Sequence, residues 1–199
     1  GQQYLKWAQQ YDVPLLDSED AVTAALDPFP DQNTNTGLLT NTVLTLIPEE
    51  FDEELTSPKL VEILENNEDS KAQLGAEMFS TAPKRFKSVQ DEVVSTCLNK
   101  AKRTNDTNSK QIYLTAVAEV FTELEDSDQE RFLSRLTDLA GGNNKDKQAF
   151  SRVWNEVKSD LTSNHRRKVG QNVLTILEDE VSDQNQQVPT DDLVEVLQS

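Results

Sequence analysis

The side chains that could do chemistry in this chain are few and far apart. His165 is the only histidine and Cys97 the only cysteine among 199 residues. A thiol–imidazole nucleophile needs the two groups within hydrogen-bond reach and a setting that favours the thiolate. Cys97 instead falls in the apolar run VVSTCL (93–98), the setting of a buried structural thiol. His165 stands in the polar stretch SNHRRK, where a solvated side chain is the simpler reading than a general base. One His and one Cys cannot make a Cys/His zinc site, so the sequence offers no metal or cofactor ligands of that kind. The paired carboxylates Glu49/Glu50 and Glu53/Glu54 lack the apolar pocket that raises one pKa above the other, and read as a solvated acidic turn. Gly141 and Gly142 lack the Lys and Ser/Thr of a phosphate-cradling loop and read as a helix terminator, with Gly141 left-handed. The expectation is a protein that is not an enzyme.

The charged clusters are the more distinctive local feature. Lys84, Arg85 and Lys87 fall in one predicted turn and Arg166, Arg167 and Lys168 in another, as candidate contacts for an acidic partner. Lys100, Lys102 and Arg103 close a predicted helix, where cations offset the helix dipole. These clusters interrupt a chain of net charge −17. The acidity is uneven: residues 1–80 hold three Lys/Arg against 16 Asp/Glu, whereas residues 81–115 hold seven against three. So acidic a chain is repelled by phosphate backbones and anionic lipid, which argues against nucleic acid and membrane as partners. No run approaches the roughly 20 apolar residues of a membrane-spanning helix, and no secretory signal is visible, so an intracellular protein, cytoplasmic or nuclear, is expected. The start at Gly1 reads as a piece of a longer polypeptide.

The elements that must position these groups are helical. Residues 1–36 read as a lead-in, with Tyr4, Leu5, Trp7 and Tyr11 at helical spacing, a short helix near Ala21–Leu26, and a linker rich in Pro, Asn and Thr. From Leu38 the pattern settles into helix pairs. First helices begin near Leu38, Gln73, Ile112 and Ala149, a step of roughly 35–40 residues. The third of them extends through Phe121 to Leu124. Second helices carry the cores LVEIL (60–64), VVSTCL (93–98), FLSRL (132–136) and VLTIL (173–177). Ser57 before Pro58, Ser88 with Asp91, and Ser127 with Glu130 are read as helix caps. Residues 182–199 read as a polar linker and a last short helix, Asp191 to Gln198, capped by Thr190. The first two units share a further echo: Pro48 and Phe51 in LTLIPEEF match Pro83 and Phe86 in FSTAPKRF.

The fold class expected is therefore all-α, with about four antiparallel helix pairs over residues 37–181, and an irregular helical bundle as the alternative. The paired helices, and the prolines Pro48 and Pro83 in first helices, resemble the HEAT and armadillo class of α-solenoids, whose repeats run about 40–47 residues. That resemblance implies a short stack whose extended surface binds another protein, one with an acidic face where the basic clusters contact it. Two other functions remain open. One is an acidic inhibitor that imitates DNA; the other, which net charge disfavours, is a DNA glycosylase on a HEAT-like scaffold.

Overall fold

The computed structural model describes residues 18–26, 44 and 46–182, and every regular element among them is helical. The predicted lead-in helix around Tyr4–Tyr11, the linker after Leu26 and the last helix at 191–198 lie outside the described residues. The eight α-helices described are α1 (Glu19–Leu26), α2 (Ser57–Glu65), α3 (Asp69–Thr81), α4 (Gln90–Arg103), α5 (Thr107–Ala118), α6 (Asp126–Ala140), α7 (Asn144–Val157) and α8 (Ser163–Ser182). The chain forms two compact units, Gly1–Thr96 and Cys97–Ser199, with the boundary inside α4.

In the first unit the apolar stripe of α2 (Leu60, Ile63, Leu64) packs on α3 through Leu74, Met78 and Phe79. The crossing is tight because Gly75 faces the α2 backbone. A Cβ built there would lie 2.9 Å from Leu64 N and 3.0 Å from Leu64 Cα. Between the helices the chain turns twice in the same way. Pro48 leads into a 3-10 turn, Glu49–Phe51, and Pro83 opens another, Pro83–Val89. Phe51 (φ −93°, ψ 1°) and Phe86 (φ −107°, ψ 26°) both sit in the bridge region of backbone space. The Pro/Phe echo in the sequence is thus an echo in conformation. Phe86 is fully buried, 6.3 Å from the Phe79 ring, while Phe51 packs with Leu55 on a small cluster of Val22, Leu26 and Ile47.

In the second unit the like helices pack on one another, α5 on α7 and α6 on α8, while α6 also meets α7. Phe132, Leu133, Leu136 and Leu139 from α6, Val153, Trp154 and Val157 from α7, and Val169 and Val173 from α8 form the buried interior. The predicted second-helix cores are all helical; the first three are mainly buried, whereas in VLTIL only Val173 is buried, Ile176 and Leu177 are half-buried and Leu174 is 44% exposed.

The ends of the elements differ from expectation more than their middles. The third first helix stops at Ala118, because Val120 leaves helical space (φ −119°, ψ 13°) and the chain continues as a 3-10 turn, Phe121–Glu123. Ser127 lies one residue inside α6, whose N-cap is Glu125 without a side-chain cap bond, so the Ser127/Glu130 box is not formed. Ser57 and Ser88 follow segments that are already helical, the π-turn Asp52–Thr56 and the 3-10 turn from Pro83, which removes the extended backbone an N-cap needs. Gly141 is not left-handed (φ −83°, ψ 0°). Side-chain caps form elsewhere: the Asp106 carboxylate accepts from Ser109 N, Asn143 and Asp146 make a reciprocal capping box, and the hydroxyls of Ser18 and Thr162 accept from Ala21 N and His165 N at the starts of α1 and α8.

Gly75 supplies a sharp test of the α2–α3 packing. Glycine inside a helix costs about 1 kcal/mol relative to alanine, so Gly75→Ala would stabilise the helix if there were room. With Leu64 backbone at 2.9 Å the overpacking cost of about 1–3 kcal/mol wins. Thermal unfolding of the variant is expected at lower temperature than wild type, and an unchanged or raised midpoint would contradict the crossing.

Candidate functional site

The basic turn of the first unit does not present its three cations alike. Lys84 is exposed and makes no ion pair; Lys87 is exposed and reaches Gln90 Oε1 at 3.3 Å. Arg85 turns inward, and its side chain is only 14% exposed. Its guanidinium forks onto Asp52, with Nε donating to Oδ2 at 2.8 Å and a terminal nitrogen to Oδ1 at 2.5 Å. The remaining donors reach the main-chain oxygens of Leu44 and of Ile47, the latter at 2.9 Å. Arginine alone has the planar set of donors that can satisfy a carboxylate and two carbonyls at once. Arg85, expected among the partner contacts, is thus committed within its own unit and joins the second Pro/Phe turn to the first.

Arg166, Arg167 and Lys168, expected in a turn, instead occupy the first two turns of α8. Thr162 precedes them, its Oγ1 accepting from His165 N at 3.2 Å and its carbonyl from Arg166 N at 3.0 Å. All three cations are exposed; Lys168 pairs with Glu130, while Arg166 and Arg167 make no ion pair. They stand at the positive end of the helix dipole, which disfavours them, whereas Lys100, Lys102 and Arg103 in the last turn of α4 are where the dipole favours cations. His165 beside them packs edge-on against Phe121 with ring centroids 5.7 Å apart, and its buried Nδ1 has no hydrogen-bond partner. Lys168 and Glu130 also rim a groove of about 340 Å3 between α6 and α8, with Ser134, Thr137, Asp138 and Asn172.

Cys97 is completely buried, and burial pushes its thiol up to about 12 against a small opposing effect of Lys100. It remains a protonated thiol at neutral pH and is a packing residue. In the acidic turn Asp52 is buried on Arg85, while Glu49, Glu50, Glu53 and Glu54 are exposed and none makes an ion pair. The Asp146 carboxylate, 6% exposed, accepts from Asn143 N at 3.1 Å and from Thr107 Oγ1 at 2.7 Å, joining the start of α7 to the start of α5.

Sequence reasoning found neither Asp52–Arg85 nor Thr107–Asp146. The first had no local signal, since its partners are 33 residues apart and differ from their counterparts in the neighbouring turn. The second was half visible as the Asn-x-x-Asp spacing of a capping box at 143–146. Among the described residues no group of three or more His, Cys, Asp or Glu is arranged to hold a metal ion, and no helix is long and apolar enough to cross a membrane. Comparisons with protein-family models, with curated proteins and with solved structures find no match to the chain.

Two measurements test these assignments. Arg85→Ala strands the buried Asp52 carboxylate and is expected to cost about 3–5 kcal/mol in denaturant unfolding, with Arg85→Lys recovering only part. Lys84→Ala should stay within about 0.5 kcal/mol of wild type; equal effects at the two positions would remove the clasp. The second concerns Glu119 at the end of α5, whose carboxyl is raised above its ordinary 4.5 by desolvation, then by repulsion from Glu156 and Asp160. A carboxyl whose folded pKa is raised destabilises the fold above that pKa, where it must ionise, and has no effect below the unfolded value. Glu119→Gln is therefore expected to raise stability near neutral pH, with the gain fading in acid below 4.5. A gain that persists in acid would show another cause.

Proposed function

We propose that this chain is a non-catalytic protein-interaction domain built from stacked helix pairs, part of a larger intracellular polypeptide or complex. The like-on-like packing in the second unit, α5 on α7 and α6 on α8, is the order expected of HEAT-like stacking and supports the repeat reading. The repeated Pro/Phe turn supports it in the first unit. A sealed, protonated Cys97 removes the one thiol nucleophile from consideration.

The observation that carries the reading is the pair Arg166 and Arg167. Both are exposed and unpaired at the N-terminal end of α8, where the helix dipole works against them. Among the described residues no ion pair within the chain engages these two guanidinium groups, and an acidic surface on a partner protein would. Lys84 and Lys87 are the corresponding exposed cations of the first unit, with Arg85 excluded by its clasp and Lys168 partly neutralised by Glu130. A second reading, an acidic DNA-mimic that occupies a nucleic-acid-binding protein, draws on the four unpaired carboxylates of Glu49, Glu50, Glu53 and Glu54.

The test is capture of partners from native extract by the wild-type domain and by two folded variants, Lys84→Glu/Lys87→Glu and Arg166→Glu/Arg167→Glu. Recovery of a shared partner is expected to fall about tenfold in at least one variant, as for loss of a few rim charges. Identical partner sets would remove both clusters. Partners released by duplex DNA and by salt, yet indifferent to these reversals, would favour the DNA-mimic.

A further inference from the structure

The first unit carries a groove of about 250 Å3 between α1 and α2, lined by Thr23, Leu26, Glu54, Leu55, Pro58, Lys59 and Glu62. Its apolar lining comes from Leu26, Leu55 and Pro58. Small-molecule sites usually run to about 300–1,000 Å3, so this one has room for one large side chain. The Lys59 ammonium is held by Glu62 at 2.9 Å, which leaves Glu54 as the uncompensated charge on the rim.

Glu54 is one of four. Glu49, Glu50 and Glu53 precede it on the same turn, exposed and unpaired, and Glu19 and Asp20 are exposed at the start of α1. Lys59 is the only Lys or Arg in the sequence from Ser18 to Ser70. Carboxylates this close repel one another, yet their turn is held firmly. Asp52 is fixed by Arg85, Thr56 Oγ1 donates to Phe51 O at 3.4 Å, and Phe51 and Leu55 pack on Val22, Leu26 and Ile47. The ledge is therefore preorganised for a cationic ligand, whose binding would relieve the repulsion.

We infer that the α1–α2 groove, with the Glu49–Glu54 ledge beside it, docks a basic peptide segment of another protein: one apolar side chain in the groove, flanked by Lys or Arg on the carboxylates. The inference rests on the interaction-domain reading but uses none of the cations that carry it. The basic turn of a second copy is a poor occupant, because its Phe86 is buried and its Arg85 engaged, and docking of α8 of a second copy is decided by the oligomeric state in the peptide test.

The test uses the whole chain and two labelled peptides of Lys and Gly, one with a central Leu and one with Ser in its place, followed by fluorescence anisotropy. The Leu peptide is expected to bind about tenfold more tightly than the Ser peptide, the size expected for burying one apolar side chain. Glu53→Lys/Glu54→Lys, both exposed positions, should weaken the Leu peptide about tenfold. Thr23→Trp, which fills the groove from an exposed site on α1, should erase the difference between the two peptides. Circular dichroism checks that each variant folds, and if the Trp variant does not, the double Glu variant decides. Equal binding of the two peptides, or undiminished binding by the Glu variant, would overturn the inference; so would a dimer that the Leu peptide fails to dissociate. If the peptides fail while Arg166→Glu/Arg167→Glu still loses the extract partner, the groove is refuted and the interaction domain stands.

Discussion

A half-buried arginine that satisfies one carboxylate and two main-chain carbonyls restricts everything around it. Arg85 needs Asp52 beside it, needs the carbonyls of Leu44 and Ile47 turned towards it, and needs its own turn held still by Phe86 in the core. The partners belong to two turns of the same conformation, so this one side chain sets one turn against the other. Lysine could not substitute, because a single ammonium cannot fork onto a carboxylate and reach two carbonyls. Most of the desolvation cost of the pair is offset by this full set of hydrogen bonds, and the specificity of the geometry is what remains. The acidic ledge follows from the clasp. The four exposed carboxylates on one short turn repel one another, and the turn is held by the fifth carboxylate on Arg85 and by Phe51 packed below.

The second unit has a counterpart in Asp146, which also lies 3.9 Å from the Lys110 ammonium. That carboxylate closes its own capping box, accepts from Thr107, and leaves no room for a side chain at Gly142, where a Cβ would lie 2.5 Å from Asp146 Oδ2. Gly142 is thus required by close approach, and Gly141, expected to be the left-handed residue, simply ends α6 in ordinary space. In each unit a carboxylate placed by tertiary contact connects elements that the apolar stripes only bring near.

The middles of the helices were legible because burial follows a period of three to four residues that any window of sequence displays. LVEIL, FLSRL and the apolar positions Phe150, Val153, Trp154 and Val157 lie where that period places them. The ends were less legible. Ser57, Ser88 and Ser127 have the right side chains for caps, but a cap also requires extended backbone, and the segments before Ser57 and Ser88 arrive already helical. Of the six cations proposed as contacts, side-chain type alone could not separate Arg85 from Lys84, which is its neighbour in sequence and its opposite in exposure.

The amino-acid sequence by itself determined that the chain is helical, where its apolar stripes lie, and that it holds one histidine and one cysteine. These are properties of local spacing and of count. The tertiary structure alone decided which charges are spent inside and which face outward. Asp52 and Arg85 belong to one cluster of five carboxylates and one of three cations, and only the packing of two turns 33 residues apart withdraws one member from each. A long-range contact of this kind leaves no period to read, because its partners are matched by position in space.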